Sequence, residues 1–491
     1  MKRITKHLMT LLLSVVMVMA MGLIVFAEGT TYKLTLTGTA TGHTYEAYQI
    51  FRGDLSNNDA GDKVLSNVQW GTGVNYTGTE SAADVAKALG AGTMSIAQLE
   101  EKLTLTAPVK TVTSAKGSTV IDGLAAGYYL VKDQDGTQKN TSDAYTTFIV
   151  QVVGDTEAEV KSDVPTVEKK VKDANDSEGE TSDWQDSADA DINDDVQYQI
   201  TGTMPDNIAD YKKYTYKFTD TMSKGLTYTA KNAKITIGEK NVTSSFTENV
   251  TTNDDGSTTV TWTCDNLKGI GVMLDANTKV VVTYSAKLNE NAVIGAAGNP
   301  NKVDLTYSNN PNKSGDGETG KTPEDKNVVF TYKTVVNKID QDKKSLKGAA
   351  FKLEKESDGT YKEVKSFTAG DETTFEFDGL DDGNYRLTET TTPAGYNTIT
   401  PVKFTISAEH DTELGDPKLT KLSGNVTTGE ATFTVDKDAG SLTTDIVNKK
   451  GSILPSTGGR GTTMIYIIGA ALVVMAGIVL AMRKKMSSKE S

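Results

Sequence analysis

The chain has one cysteine, three histidines and ten prolines in 491 residues, and each shortage removes a class of function. A lone Cys264 cannot close an intramolecular disulfide, the usual staple of exported domains, so resistance to extracellular stress has to come from elsewhere. Its place at the end of the run Thr258 to Thr263 predicts a half-buried strand residue, not a reactive thiol. His7, His43 and His410 are the only histidines and are scattered, which excludes a histidine-based triad or zinc cluster. Neither a cofactor nor a metal is predicted. Positive charge is also short. The formal net charge is -14, and Lys2, Arg3, Lys6, Arg460, Arg483, Lys484, Lys485 and Lys489 all sit near the two ends, leaving the body of the chain more acidic still. An acidic surface disfavours nucleic acid and bare anionic lipid as partners.

Two motif matches fail on their surroundings. Gly315 to Thr322 fits the phosphate-loop pattern G-x-x-x-x-G-K-[ST], but such a loop needs a helix N-terminus after the lysine, and Pro323, Glu324 and Asp325 lead into a strand. Asp316 and Glu318 would also repel an anion. In the acidic run Asp186 to Asp195, Asp189, Asp191 and Asn193 have calcium-loop spacing. The following glycine is missing and Ile200 holds the twelfth position, so a solvated loop is predicted.

Long apolar runs occur only at the ends. Lys2, Arg3 and Lys6 precede an apolar stretch from Leu8 to Phe26 and a small-residue cleavage site at Val25-Phe26-Ala27, so residues 1–27 read as a removable secretory signal. From Met464 to Met482 the chain is again apolar, about the length a helix needs to cross ~30 Å of hydrocarbon. Arg483, Lys484 and Lys485 follow and would stay cytoplasmic. Just upstream stands Leu454-Pro455-Ser456-Thr457-Gly458. This ordered trio resembles the cell-wall sorting signal of Gram-positive surface proteins. The resemblance implies that a sortase cysteine cleaves between Thr457 and Gly458 and that Thr457 becomes an acyl-enzyme and then an amide.

Between the ends, strand patterns dominate: Thr31 to Thr37, Tyr145 to Val153, Tyr214 to Thr219, Thr258 to Thr263, Lys279 to Tyr284, Val328 to Val336 and Ala431 to Val435 alternate or run in Val, Thr, Tyr and Phe. Gly, Asn and Asp turns separate them. One helical piece is predicted between Ala82 and Leu103. Linker-like composition at Val160 to Pro165 and at Ser308 to Lys326 divides the body. The predicted organisation is all-β: tandem immunoglobulin-like β-sandwiches over 28–160, 161–320 and 321–450, between the signal peptide and the sorting segment 451–491 with its transmembrane helix.

The third sandwich has the most specific pattern. Val336-Asn337-Lys338-Ile339-Asp340, Leu346 to Leu353, Tyr385-Arg386-Leu387-Thr388-Glu389-Thr390-Thr391-Thr392-Pro393-Ala394-Gly395-Tyr396 and Ile446-Val447-Asn448 resemble a CnaB-type domain with the pilin E-box, Thr392 replacing the usual Ala. In that family the lysine and asparagine join as an isopeptide bond beside the glutamate, implying the set Lys338, Glu389 and Asn448. The residues support it: Val336, Lys338 and Asp340 share one strand face, so Lys338 can enter a core. Burial disfavours the ammonium and releases a nucleophilic amine, while Glu389 can polarise the Asn448 carboxamide.

The middle sandwich repeats the logic. Pro165 to Val171, Phe218-Thr219-Asp220-Thr221-Met222 and Asn299 to Leu305 resemble the isopeptide-forming second domain of backbone pilins, implying Lys169, Asp220 and an asparagine. Val167, Lys169 and Val171 share a face, as do Asn301, Val303, Leu305 and Tyr307, which favours Asn301 while leaving Asn299 open.

Together these features resemble the major, backbone subunit of a SpaA-type sortase-assembled pilus. The resemblance implies a structural role, not an enzyme: a class C sortase would join Thr457 to a pilin lysine of the next subunit. Lys161, in Glu159-Val160-Lys161-Ser162-Asp163, stands at the family's place for it, without the Tyr, Pro and Asn of the family motif. Expected partners are a sortase, identical subunits, minor tip and base pilins, peptidoglycan and a host-surface ligand, with the membrane involved only before sorting. The expected location is the Gram-positive cell wall, as a surface fimbria supporting adhesion. The alternative is a wall-anchored adhesin or minor pilin binding host matrix or glycan.

Overall fold

Inward-facing residues at period two build three successive double-layered β units in the computed structural model, which describes residues 30–57, 63–134, 136–137, 143–160, 164–313, 318–451 and 461–487. The secretory leader, Lys161 and the motif Leu454 to Gly458 lie outside the described residues.

In the first unit, Tyr32–Thr39 lies between the parallel strand Thr156–Glu159 and the antiparallel strand Gly117–Leu124. The facing sheet centres on Thr44–Asn57, with Lys63–Trp70 and Gly127–Asp133 as neighbours. Leu34, Leu36, Ile121, Tyr129 and Val131 fill the space between. The predicted helical piece is two helices, Ala82–Gly90 and Ile96–Lys102, because Gly90-Ala91-Gly92 ends the first. Ser81 caps the first helix, and Ser95 with Gln98 forms a capping box on the second.

The middle unit packs two sheets. One runs in the order Val167–Val171, Asp195–Thr203, Lys279–Leu288, Lys234–Ile237; the other in the order Ser187–Asp189, Asp325–Phe330, Asn299–Ser308, Tyr216–Met222, Thr258–Cys264, Thr247–Thr252. Tyr198, Ile200, Phe218, Trp262, Val282 and Leu305 make the core, each side chain of this size contributing about 1.5–3 kcal/mol by leaving water. Cys264 is buried there, deeper than the half-buried position predicted.

The third unit has one sheet ordered Thr374–Leu380, Tyr332–Asp340, Ser441–Asn448, Phe433–Asp436 and another ordered Thr360–Ser366, Ala350–Ser357, Gly383–Thr391, Val402–His410, Leu419–Thr428. Phe351, Leu353, Phe375, Phe377, Phe404 and Ile446 pack between them.

Three expectations change. The run Val328 to Val336 is two strands: Asp325–Phe330 pairs with Asn299–Ser308 in the middle unit, and Tyr332–Asp340 opens the third. The sheet changes at Thr331, whose hydroxyl donates to Leu380 O at 3.1 Å, so the middle unit extends beyond residue 320. Asn327 to Tyr332 are all buried, and this continuous run hides the switch. Second, Ser308 to Lys326 is not simply a linker, since Thr319–Lys321 also pairs with Asn299–Ser308. Third, the acidic run Asp186 to Asp195 is not a solvated loop. Ser187–Asp189 pairs parallel with Asp325–Phe330, and Asp186 and Asp189 are buried.

The C-terminal apolar stretch forms the helix Gly461–Ser487. Among the described residues no helix is long and apolar enough to cross a membrane.

Candidate functional site: two buried lysine-acid-asparagine sets

Period-two burial puts Tyr216, Phe218, Asp220 and Met222 on one inward face, and Val280, Val282, Tyr284 and Ala286 on another. A carboxylate and a phenol thus stand in otherwise apolar sets. Lys169 enters from Val167–Val171 with no exposed surface, its Nζ beside the stacked pair Tyr198 and Tyr284, 5.2 and 5.1 Å from their centroids. Nζ lies 2.5 Å from Asp220 Oδ2 and 2.7 Å from the Tyr284 hydroxyl. That hydroxyl is also 2.7 Å from Asp220 Oδ2 and accepts from Asn301 Nδ2 at 2.8 Å. Asp220 Oδ1 and Asn301 Oδ1 are buried without hydrogen-bond partners.

Burial lowers the Lys169 pKa against the pull of Asp220, and burial raises that of Asp220 against the pull of Lys169. Both shifts favour a neutral amine beside a neutral acid. A permanent ion pair here would have to offset several kcal/mol of desolvation per ion. An amide would remove the lysine's charge altogether. Asn299, the alternative asparagine, is committed elsewhere: its Oδ1 accepts from Val293 N, and its Nδ2 donates to Val293 O and Val329 O. The structure therefore brings together Lys169, Asp220 and Asn301, with Tyr284 as a fourth member.

In the third unit, Tyr332–Asp340 and Ser441–Asn448 are adjacent and parallel, with Lys338 opposite Ile446 and Asp340 opposite Asn448. Lys338 has no exposed surface, and its Nζ donates to Ile446 O at 2.8 Å and Ile339 O at 3.2 Å. Burial brings its pKa down to about 8 although Glu389 pulls the other way. Asn448 Nδ2 donates to Glu389 Oε2 at 3.0 Å and to Asn397 O at 2.5 Å. Asn448 Oδ1 has no partner. The carboxyl thus grips the nitrogen that would depart. Thr392 is more than a tolerated replacement, since its hydroxyl donates to Glu389 Oε2 at 3.2 Å.

The two geometries differ. In the third unit the lysine and asparagine are on neighbouring strands of one sheet; in the middle unit Lys169 and Asn301 come from opposite sheets. Sequence reasoning missed Tyr284 because an inward tyrosine looks like ordinary core. It also missed Lys355, the remaining buried lysine among the described residues. Lys355 Nζ is 2.6 Å from Asp191 Oδ2 and also contacts Asp381. Burial lowers its pKa, but the two carboxylates outweigh burial and the net shift is upward, so this lysine stays charged.

Comparison with known proteins adds two domain matches. Residues 333–420 match the SpaA prealbumin-like fold domain, and residues 192–311 match the Cna-B-like domain of Gram-positive pilin backbone subunit 2. A curated relative, the trypsin-resistant surface T6 protein of Streptococcus pyogenes serotype M6, is 27% identical over 364 residues. The match takes in 59% of this chain and spans 64% of that relative's length. Among solved structures, the T6 backbone pilin of serotype M6 Streptococcus pyogenes, described as a modular three-domain structure, has a TM-score of 0.53 at 18% identity. It covers 87% of this chain and 100% of its own, a likeness of fold. The full-length major pilin SpaD of Corynebacterium diphtheriae gives a TM-score of 0.46 at 22% identity, covering 86% and 98%.

Proposed function

We propose that the chain is the backbone subunit of a covalently polymerised surface pilus, exported, anchored through its sorting signal and toughened by two internal isopeptide bonds. The observation that carries this reading is the pair of dehydrated lysines, each in a set with a buried acid and an asparagine whose carbonyl oxygen is unpartnered, inside domains that match Gram-positive pilin families.

The chemistry is a single turnover. In the middle unit the Lys169 amine attacks Cγ of Asn301, forming a C–N bond. The Cγ–Nδ2 bond breaks, and Asp220, hydrogen-bonded to both Nζ and Tyr284, gives its proton through the phenol to the departing nitrogen and takes the amine proton in its place. The products are a secondary amide and ammonia. In the third unit Lys338 attacks Cγ of Asn448, the Cγ–Nδ2 bond breaks, and Glu389 takes up the amine proton and delivers one to the nitrogen it already holds, which leaves as ammonia. Neither step needs a metal or a cofactor.

Assembly uses an external transpeptidase. A class C sortase would cleave after Thr457 and pass its carbonyl to Lys161 of another subunit. Such head-to-tail joining does not close on itself and so gives a filament. The apolar run Met464 to Met482 and the basic residues after it would hold the motif at the membrane until cleavage. Immunoblots of cells carrying the chain and a class C sortase test this. A high-molecular-weight ladder that disappears in a Lys161→Ala variant is expected. A single wall-anchored band would instead favour the adhesin or minor-pilin reading.

A further inference from the structure

At the junction between the middle and third units two carboxylates, Asp173 and Asp189, have no lysine partner among the described residues. Asp173 follows the strand Val167–Val171, Asp189 ends Ser187–Asp189, and His410 ends Val402–His410 of the third unit. Ligand atoms of these three side chains lie within 4.8 Å of one another. Asp189 is 4% exposed, and its Oδ2 makes no hydrogen bond of good geometry, the Tyr332 hydroxyl being its neighbour. The lysines of this junction are taken by other carboxylates: Lys355 by Asp191 and Asp381, Lys170 by Asp186, and Lys326 by Asp416.

The histidine is oriented for a ligand. Ser187 Oγ donates to Asp411 O at 2.5 Å, so it must accept from His410 Nδ1 at 2.7 Å. Nδ1 therefore carries a proton, and Nε2 faces Asp173 Oδ2, 3.3 Å away. Nε2 and a carboxylate oxygen at this distance repel unless a proton or a metal cation lies between them. A cation about 2.1 Å from each atom fits that spacing at a near-tetrahedral angle. Fixing the ring through the second nitrogen is also how metal-binding histidines are commonly held. The site borders a cleft of about 430 Å³ that Asp382 also lines, giving an entry path and a further carboxylate.

We propose that Asp173, Asp189 and His410 bind a divalent cation of the zinc or manganese class, which clasps the middle unit to the third. The imidazole selects against calcium and magnesium, which prefer oxygen-only sites. This site is separate from both lysine sets and does not depend on polymerisation. It also revises the sequence-based expectation of no metal, since His410 is remote in sequence from the acidic run and meets it only in the fold.

The test uses the full-length chain, purified without a histidine tag and stripped of metal, then dialysed against micromolar Zn2+, Mn2+ or Ca2+. About one Zn2+ or Mn2+ per chain should be retained, with a raised melting temperature. Asp189→Asn and His410→Ala should each weaken binding on the order of tenfold or more. Asp189→Asn, which removes a buried unpaired charge, should melt no lower than the parent in the absence of metal. No retention, equal retention in both variants, or preference for Ca2+ would overturn the proposal.

Discussion

At the scale of single residues, the account rests on solvation. Lys338 keeps its amine because the core denies water to the ammonium, and its pKa of about 8 against an ordinary 10.5 sets a testable sign. A buried base with a depressed pKa weakens the fold while both states are protonated and stops doing so as pH rises from about 8 to 10.5. An Asn448→Ala variant, unable to form the bond, should therefore gain thermal stability across that window. The parent, in which the proposed bond would leave Lys338 unable to titrate, should not show this gain. In the middle unit, Asp220→Asn replaces the only group able to accept the amine proton, and peptide mapping should then recover Lys169 and Asn301 in separate linear peptides. Recovery of the branched peptide from that variant would show that Asp220 is dispensable. Much of this was legible because a lysine, an acid or an asparagine in an inward, period-two position is conspicuous among Val, Leu and Tyr. The Asn299 or Asn301 ambiguity was not, since both side chains face inward and only the distant Val293 and Val329 carbonyls show that Asn299 is already satisfied.

At the scale of elements, strand alternation predicted the β layers, and turn residues predicted most of their separations. What it missed was where a strand changes partner. Asp325–Phe330 and Tyr332–Asp340 meet in one continuous buried run yet belong to two different sheets, and nothing local marks Thr331 as the crossing. Lys355 was invisible for a similar reason: its counter-charge Asp191 arrives from another unit, 164 residues earlier. The parallel pairing of Tyr332–Asp340 with Ser441–Asn448 means that a Lys338 to Asn448 bond closes nearly the whole third unit. Closing a loop of about a hundred residues stabilises by roughly 4–5 kcal/mol. Lys338→Met, which keeps the side chain's bulk, should then lower that unit's melting temperature by on the order of 10–20 °C. Calorimetry showing no change would mean the bond is absent or does not constrain the unit.

At the scale of the whole molecule, the units are joined by contacts as specific as those inside them. Tyr145 N donates to Asn309 O at 2.7 Å between the first and middle units, and Lys212 pairs with Glu101 at 2.9 Å. Between the middle and third units, Asn175 Nδ2 donates to Asp382 Oδ1 at 2.7 Å and Ile192 N to Gly379 O at 3.0 Å. Gly379 has φ +74 and lies against the Ile192 side chain, leaving no room for a Cβ. Gly379→Ala should loosen this junction at a cost of about 1–2 kcal/mol, read as an increased radius of gyration in solution scattering. The internal bonds should survive the change, because both lysine sets lie within units. A shaft that bears load needs both levels, covalent ties inside each unit and ordered seams between them. The most direct check on the central claim is the intact mass of the folded exported chain. The account predicts a mass lower than the sequence requires by two ammonia molecules, with branched peptides joining Lys169 to Asn301 and Lys338 to Asn448. The full sequence mass, with all four residues in linear peptides, would contradict it.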